Sequence, residues 1–106
     1  MDNFYIKHNN LIKKISFDSL LWIKADGNYS MVHVDNAQYV IKIPLKRIVA
    51  QLPTTHFCQI HRAYGVSLRR IENIDVTNSE LTVNEEKLPI GRNYRDALLA
   101  SLAIIK

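Results

Sequence analysis

The stretch LLWIKADGNYSMVHV, residues 20–34, decides the fold because two strand-like runs flank a tight turn. Its first run, 20–24, is short and apolar, and its aromatic and β-branched residues favour a strand over a helix. Asp26-Gly27-Asn28 is a strong turn signal, since Gly and Asn tolerate positive φ. The run 29–34 is expected to return beside the first, so the sequence predicts an antiparallel hairpin.

Short extended segments recur on both sides of this hairpin. Turn-forming residues separate them, and no linker, low-complexity tract or internal repeat interrupts the chain. A second hairpin is expected where 39–43 pairs with 29–34. The remaining predicted strands are 4–7, 11–17, 57–61, 71–76, 81–83 and 87–90. The pattern predicts one continuous, mostly β domain over residues 1–106.

Two helices are predicted among the strands. Residues 44–52 begin with a proline, which a first helical turn tolerates, and Pro53 ends the segment. One apolar stripe runs along it at helical spacing, formed by Leu45, Ile48, Val49 and Leu52. After Gly91, apolar residues spaced by three and four predict a C-terminal helix over 94–105, with Asn93 as a candidate cap.

Length and composition exclude several protein classes. A chain of 106 residues fits a single domain. Its one cysteine cannot form an intramolecular disulfide, which indicates an intracellular protein. No apolar run approaches the ~20 residues of a membrane span, and the N-terminus has no signal-peptide pattern. We therefore expect a cytoplasmic protein without membrane contact.

The positive charge is concentrated in one third of the chain. The formal net charge is +4, yet no acidic residue lies between Asp35 and Glu72. Clustered cations indicate a polyanionic partner, with nucleic acid first, although a solvated basic face is a common alternative. The acid-free stretch contains six cations: Lys42, Lys46, Arg47, Arg62, Arg69 and Arg70.

Residues that could support catalysis or bind a metal are sparse. In the densest run, 56–61, strand alternation places His56 and Cys58 on one face and His61 on the other. Two ligands fall short of the three or four that zinc requires. The glycines are too dispersed for a phosphate-binding loop. We expect neither an enzyme nor a cofactor.

Polar side chains stand where predicted strands give way to turns. Asn28, Arg62 and Arg92 occupy such positions. Arginine can bind guanine and asparagine can bind adenine through paired hydrogen bonds. Lys46, at the start of the first helix, can add a phosphate contact. Each position alone is weak evidence, because an arginine at a turn is usually just solvated.

An ordered set of sequence blocks resembles the LytTR DNA-binding domain, the output module of many bacterial response regulators. The resemblance extends from about residue 4 to residue 99. Its blocks include LLWIKADGNY at 20–29, FCQIHRAYGV at 57–66 and LPIGRNYR at 88–95. The pattern His61-Arg62-x-Tyr64, followed downstream by Arg92-x-Tyr94, is the most specific part.

The resemblance implies an elongated, multi-sheet antiparallel β domain with one short mid-chain helix and a C-terminal helix. Loops of such a domain enter successive major grooves of DNA. Carried over by position, the base-reading candidates are Asn28, Arg62 and Arg92. The candidates for phosphate or rim contacts are Lys46, Ala63, Asn93 and Arg95, and His61 and Tyr64 are expected to orient the loop that carries Arg62.

Two departures from the family pattern bear on the geometry. Ala63 stands where the family often has Ser, which removes a possible hydroxyl contact to phosphate. Gly65 replaces an apolar residue, so the strand there is expected to start late or kink.

The resemblance also implies partners. These are double-stranded DNA with repeated half-sites, a possible homodimer on that DNA, and a receiver domain or sensor in a two-component system. The chain is either a free-standing regulator or part of a longer protein. A protein-interaction module that uses sheet edges, the 44–52 helix or the C-terminal helix, with Leu99 or Ile104 exposed, is the alternative function. RNA binding lacks a recognisable motif.

Overall fold

A computed structural model describes residues 2–106, which form ten strands and two short α-helices. The strands of the first half are β1 (Asn3–His8), β2 (Leu11–Ser16), β3 (Leu20–Asp26), β4 (Tyr29–Val34) and β5 (Ala37–Ile41). Those of the second half are β6 (Phe57–His61), β7 (Tyr64–Ser67), β8 (Asn73–Asp75), β9 (Glu80–Val83) and β10 (Glu86–Pro89). Helix α1 is Leu45–Gln51 and helix α2 is Arg95–Ala100, and single 3₁₀ turns form at Leu68–Arg70 and Arg92–Tyr94.

The strands form three antiparallel sheets. The central sheet has the order β5-β4-β3-β7-β6, β1 and β2 form a separate hairpin, and β8, β9 and β10 form a three-stranded sheet. The molecule measures 47 × 27 × 24 Å along its principal axes. The predicted fold class, an elongated multi-sheet antiparallel β domain with two short helices, is confirmed.

The central sheet buries apolar side chains on both faces because successive residues of a strand point to opposite sides. One face packs against α1 and the β1–β2 hairpin, and the other packs against the three-stranded sheet and α2. The first core includes Ile6, Ile15, Phe17, Ile23, Val32 and Ile48, and the second includes Leu21, Ile60, Val66, Leu81, Leu88 and Leu98. The rigid sheet thereby fixes the positions of the turns at its ends.

Strand β7 was absent from the strands predicted by the sequence pattern, and the expected late start at Gly65 is wrong. β7 begins at Tyr64, and the irregularity of register lies instead on β6, between Gln59 and His61. Gly65 is buried, and a Cβ atom there would overlap the ring of Phe57. The glycine therefore makes room for a core aromatic ring.

The C-terminal helix predicted over 94–105 is only six residues long. The N-cap residue of this helix is Tyr94, and no side chain caps its first turn. The predicted cap at Asn93 is therefore also wrong. The Ser101 hydroxyl donates to the Ala97 carbonyl, where it competes with a continuing backbone bond. Leu98 is buried, Leu99 is half-buried and Ile104 is exposed. No helix within residues 2–106 is long and apolar enough to cross a membrane.

Candidate nucleic-acid interface

Two hairpin turns meet at one end of the central sheet. The β3–β4 turn consists of Gly27, at φ +61°, and Asn28, as the turn signal predicted. The β6–β7 turn consists of Arg62 and Ala63. Strands β3 and β7 are adjacent and antiparallel, and the Ala25 N–H donates to the Ala63 carbonyl at 2.8 Å. Asn28 and Arg62 therefore share one end of the sheet.

The Arg92–Tyr94 turn lies beside the end of β6. The Gly91 N–H donates to the Ile60 carbonyl at 2.7 Å, and the Tyr94 N–H donates to the Gly91 carbonyl at 3.0 Å. These bonds attach the segment after β10 to the last residues of β6. Arg92, whose side chain is exposed, is thereby placed next to the turn that carries Arg62.

The start of helix α1 reaches the same end of the sheet. Ser30, at the beginning of β4, is fully buried and pairs with Ile41 of β5. Its hydroxyl donates to the Ile43 carbonyl at 2.6 Å, which fixes the chain just before α1. Exposed Lys46 follows in the first turn of that helix. We call residues 27–28, 46, 62–63 and 92–95 together the loop end.

The loop end is a row whose order follows the order of the strands. Asn28 lies between β4 and β3, Arg62 between β7 and β6, and Arg92 beside the end of β6. Lys46 lies at the start of α1, which packs against β3, β6 and β7 on one face of the sheet. Neighbouring strands lie about 4.8 Å apart, so five strands give a row about 20 Å wide. This exceeds the ~12 Å width of one major groove of B-DNA, so separate turns can reach separate parts of a duplex.

The donors of the loop end are available to a partner. Within residues 2–106, its cations take part in no ion pair. Asn28, Lys46, Arg62, Arg92 and Asn93 are exposed, and Arg95 is half-buried. An arginine or lysine without an internal carboxylate partner keeps its donors for phosphate or base edges.

His61 and Tyr64 flank the turn that carries Arg62. The Ala63 N–H donates to His61 Nδ1 at 3.0 Å, and the rings of His61 and Tyr64 meet edge to face, 5.9 Å between centroids. The Lys24 ammonium lies 5.8 Å from the Tyr64 ring centroid. These are the contacts that a loop-orienting role requires, and the role itself stays a prediction.

Ala63 has little to offer a phosphate group. Its N–H already donates to His61 and its carbonyl accepts from Ala25, while its side chain is a methyl group. Its part in phosphate or rim binding stays a prediction, and the atom left for such a contact is its methyl group.

Two arginines of the acid-free stretch lie elsewhere. Arg70 donates to the Asp35 carboxylate at 2.7 and 3.1 Å, and Arg69 pairs with Asp18. Asp18 and Asp35 stand in the β2–β3 and β4–β5 turns, at the opposite end of the sheet, which we call the paired end. The Arg70 guanidinium lowers the pKa of Asp35. The stretch is therefore not one surface for a polyanion, because distant aspartates bind two of its six cations.

The 56–61 run offers no reactive group. Burial raises the pKa of the Cys58 thiol, so the thiol stays protonated at neutral pH. His61 accepts the bond from Ala63, and His56 lies 3.4 Å from Arg69. Among the residues that the structure describes, no three His, Cys, Asp or Glu side chains form a metal-binding group.

Comparisons with known proteins agree with this geometry. The model of the protein family described as "LytTr DNA-binding domain" matches residues 10–103 of this chain. The transcriptional regulatory protein LytR of Staphylococcus aureus is 22% identical over 104 residues, which cover 94% of this chain and 42% of that protein. The sensory transduction protein LytR of Streptococcus mutans is 36% identical over 83 residues, or 74% of this chain and 34% of that protein. The chain thus spans less than half the length of these relatives.

A solved structure shows the same fold. It is a LytTr DNA-binding domain from Bacillus cereus, and it superposes with a TM-score of 0.80 at 18% identity. The match covers 98% of this chain and 99% of the other.

Proposed function

We propose, because this chain belongs to the LytTR family of DNA-binding domains, that it binds double-stranded DNA sequence-specifically and thereby regulates transcription. The observation that carries the proposal is the loop end. Three side chains suited to base edges, Asn28, Arg62 and Arg92, share it, and within residues 2–106 neither arginine is held in an ion pair. The family is one of DNA-binding domains and not of enzymes.

Base reading is assigned to these three side chains. Arg62 and Arg92 each present a planar fork of donors that matches the O6 and N7 atoms of guanine. Asn28 carries a donor and an acceptor that match the N6 and N7 atoms of adenine. All three project from turns fixed to a rigid sheet, which limits the conformational entropy lost on binding.

Phosphate binding is assigned to the other polar members of the loop end. Lys46, Asn93 and Arg95 lie at the loop end with the base-reading residues, and contacts of this kind set register and supply most of the affinity. Lys46→Ala is expected to weaken binding to all sequences alike and to flatten the dependence of affinity on salt. An affinity unchanged between 50 and 200 mM salt would refute this electrostatic part.

The partners beyond DNA follow from the relatives. LytR of S. aureus is named a transcriptional regulatory protein, and a relative in Vibrio cholerae is named a response regulatory protein. We therefore infer that the domain is the output part of a two-component response regulator in the cytoplasm, controlled by a receiver domain or sensor. Two copies are expected on repeated half-sites of one DNA, with or without a homodimer in solution.

Selection from a random duplex pool tests the base-reading assignment. The unaltered chain is expected to enrich one motif, and Arg62→Ala and Arg92→Ala are each expected to relax the preference at one base pair. Arg69→Ala is the matched control, since it removes an arginine of the same stretch at the paired end. An unchanged motif in both loop-end variants would refute base reading, and the absence of any enriched motif would refute sequence specificity.

A further inference from the structure

The β1–β2 hairpin is a second basic surface outside the acid-free stretch. No acidic residue occurs between Asp2 and Asp18, and the segment contains Lys7, Lys13 and Lys14. All three lysines are exposed, and within residues 2–106 none forms an ion pair. The family model matches residues 10–103, so most of β1 precedes the matched residues.

Contacts with β5 place the tip of this hairpin near the loop end. His8 Nδ1 lies 3.3 Å from the Val40 carbonyl, and the His8 ring meets the Tyr39 ring edge to face. Val40 directly precedes Ile41, which pairs with Ser30 at the start of β4. The tip of the hairpin therefore lies at the loop end, beside β5, the edge strand of the central sheet.

The hairpin that carries these lysines is docked on the core. Ile6 and Ile15 are buried in the core on its inner face, and the rings of Phe4 and Phe17 pack 5.0 Å apart at its base. The Lys13 ammonium lies 5.5 Å from the Tyr39 ring centroid. Charges on a docked hairpin lose little conformational entropy when they bind, unlike charges on a mobile arm.

We propose that the β1–β2 hairpin binds phosphates of the duplex that flanks the segment contacted by the loop end. The inference rests on the proposed function, because it extends the same DNA footprint. Its tip lies beside β5, outside the turns that carry Asn28 and Arg62. The hairpin thus reaches backbone beyond the bases read by the loop end.

Charge favours DNA over a protein partner on this surface. Tyr5 and Ile12 are exposed on the outward face, 64% and 75% accessible, but they alternate with Lys7 and Lys14. Lysine is depleted in the cores of protein–protein interfaces, whereas phosphate contacts use it freely.

The test uses Lys7→Gln/Lys13→Gln/Lys14→Gln on a duplex with one selected site and long flanks. The slope of log affinity against log salt is expected to fall in magnitude by about 0.9–1.8, as for one or two lost phosphate contacts. Between 50 and 200 mM salt, the fall in affinity is then about 3-fold to 12-fold smaller than for the unaltered chain. The base preference is expected to stay unchanged, and Lys87→Gln, on β10, is the control for removal of a lysine charge elsewhere.

A shortened duplex gives a second, independent readout. Removing the flank on the hairpin side is expected to abolish the difference between the triple variant and the unaltered chain, while removing the other flank preserves it. Lys13 contacts Tyr39, so the loss of this lysine can lower stability. Thermal unfolding checks the fold of the triple variant. If its stability falls, the double variant Lys7→Gln/Lys14→Gln is used in its place.

The outcomes separate this inference from the proposed function. Equal salt dependence in a folded variant and the unaltered chain overturns the hairpin inference and leaves DNA binding intact. A defect that appears only when a second copy binds also overturns it, since the hairpin would then contact protein. Failure of the unaltered chain to select any DNA sequence overturns the proposed function, and the inference with it.

Discussion

The two ends of the central sheet use arginine in opposite ways. At the loop end, Arg62 and Arg92 are exposed and, among residues 2–106, free of ion pairs. At the paired end, Arg69 and Arg70 are bound to Asp18 and to Asp35. Formal charge therefore does not measure the charge available to a ligand. The guanidinium donors at the paired end are bound to the domain's own carboxylates, whereas those at the loop end are not.

Antiparallel topology explains the separation. In a chain of hairpins, successive turns alternate between the two ends of a sheet. The turns with Asp18 and Asp35 and the 3₁₀ turn Leu68–Arg70 fall at one end, and those with Asn28 and Arg62 fall at the other. A few residues of sequence thus move an arginine from the proposed DNA-binding surface to one that binds the domain's own turns.

Removal of one arginine from each end is the sharpest test of this contrast. Arg62→Ala is expected to cost about 1–3 kcal/mol of DNA-binding free energy, since a base-reading arginine contributes that much discrimination. Arg69→Ala is expected to change binding by less than about 0.5 kcal/mol. Titration of a fluorescent duplex at fixed salt measures both, and equal losses in the two variants would contradict the contrast.

The scaffold beneath the loop end supplies the next largest effect. Gly65→Ala forces a Cβ atom into the space of the buried Phe57 ring and is expected to lower the free energy of unfolding by about 1–3 kcal/mol. Urea unfolding measures this change. The control is Gly91→Ala, where the nearest atom, on the Tyr94 ring, lies 3.0 Å from the added methyl group. An unaltered midpoint for Gly65→Ala would show that the ring moves freely.

The local pattern predicted most of the fold. The apolar run 20–24 and the Gly27 turn defined the central hairpin, and the stripe along 44–52 defined α1. The start of β7 is not predicted correctly, because Gly65 lacks the side chain that marks a strand, and its need for a glycine comes from Phe57, eight residues away in sequence but adjacent in space. The C-terminal helix was overestimated because spacing alone cannot show where burial ends, and only Leu98 in it is buried.

For the candidate site, the sequence predicts the residues but not their ion-pair partners. Turn chemistry and the family resemblance together named the residues that meet at the loop end. The ion pairs of Arg69 and Arg70 were not predictable, because their partners lie 51 and 35 positions away in sequence. The docking of the β1–β2 hairpin beside β5 likewise depends on a bond from His8 to Val40, 32 positions apart. Long-range pairings of this kind decide which charges remain available.

The turn that carries Arg62 allows a finer test of the loop end. His61→Ala removes the acceptor for the Ala63 N–H and is expected to lower both stability and DNA affinity by about 1 kcal/mol. His61→Asn is the matched variant, since an asparagine side chain accepts a bond from the N–H two residues later. Recovery of base preference in His61→Asn but not in His61→Ala identifies a positioning residue, whereas equal loss in both implies that the imidazole itself contacts DNA.

The paired end gives the smallest effect and one that depends on pH. Arg70→Ala is expected to cost about 1 kcal/mol or less of unfolding free energy, because the Asp35 pair is partly exposed. Arg70 lowers the pKa of Asp35 in the folded chain, so the pair stabilises at pH values above the ordinary aspartate pKa. This contribution is lost as the pH falls through the lowered value and Asp35 takes up a proton.

The stability difference between the unaltered chain and Arg70→Ala is therefore expected to shrink between pH 7 and pH 3, with the remainder due to the bond from Arg70 to the Asp18 carbonyl. Urea unfolding at the two pH values measures it, and Asp35→Asn is the control that removes the titrating group. A difference that is equal at both pH values would mean that Arg70 stabilises the paired end by packing rather than by charge. The two ends would then differ in shape, and the availability of their arginines would need another explanation.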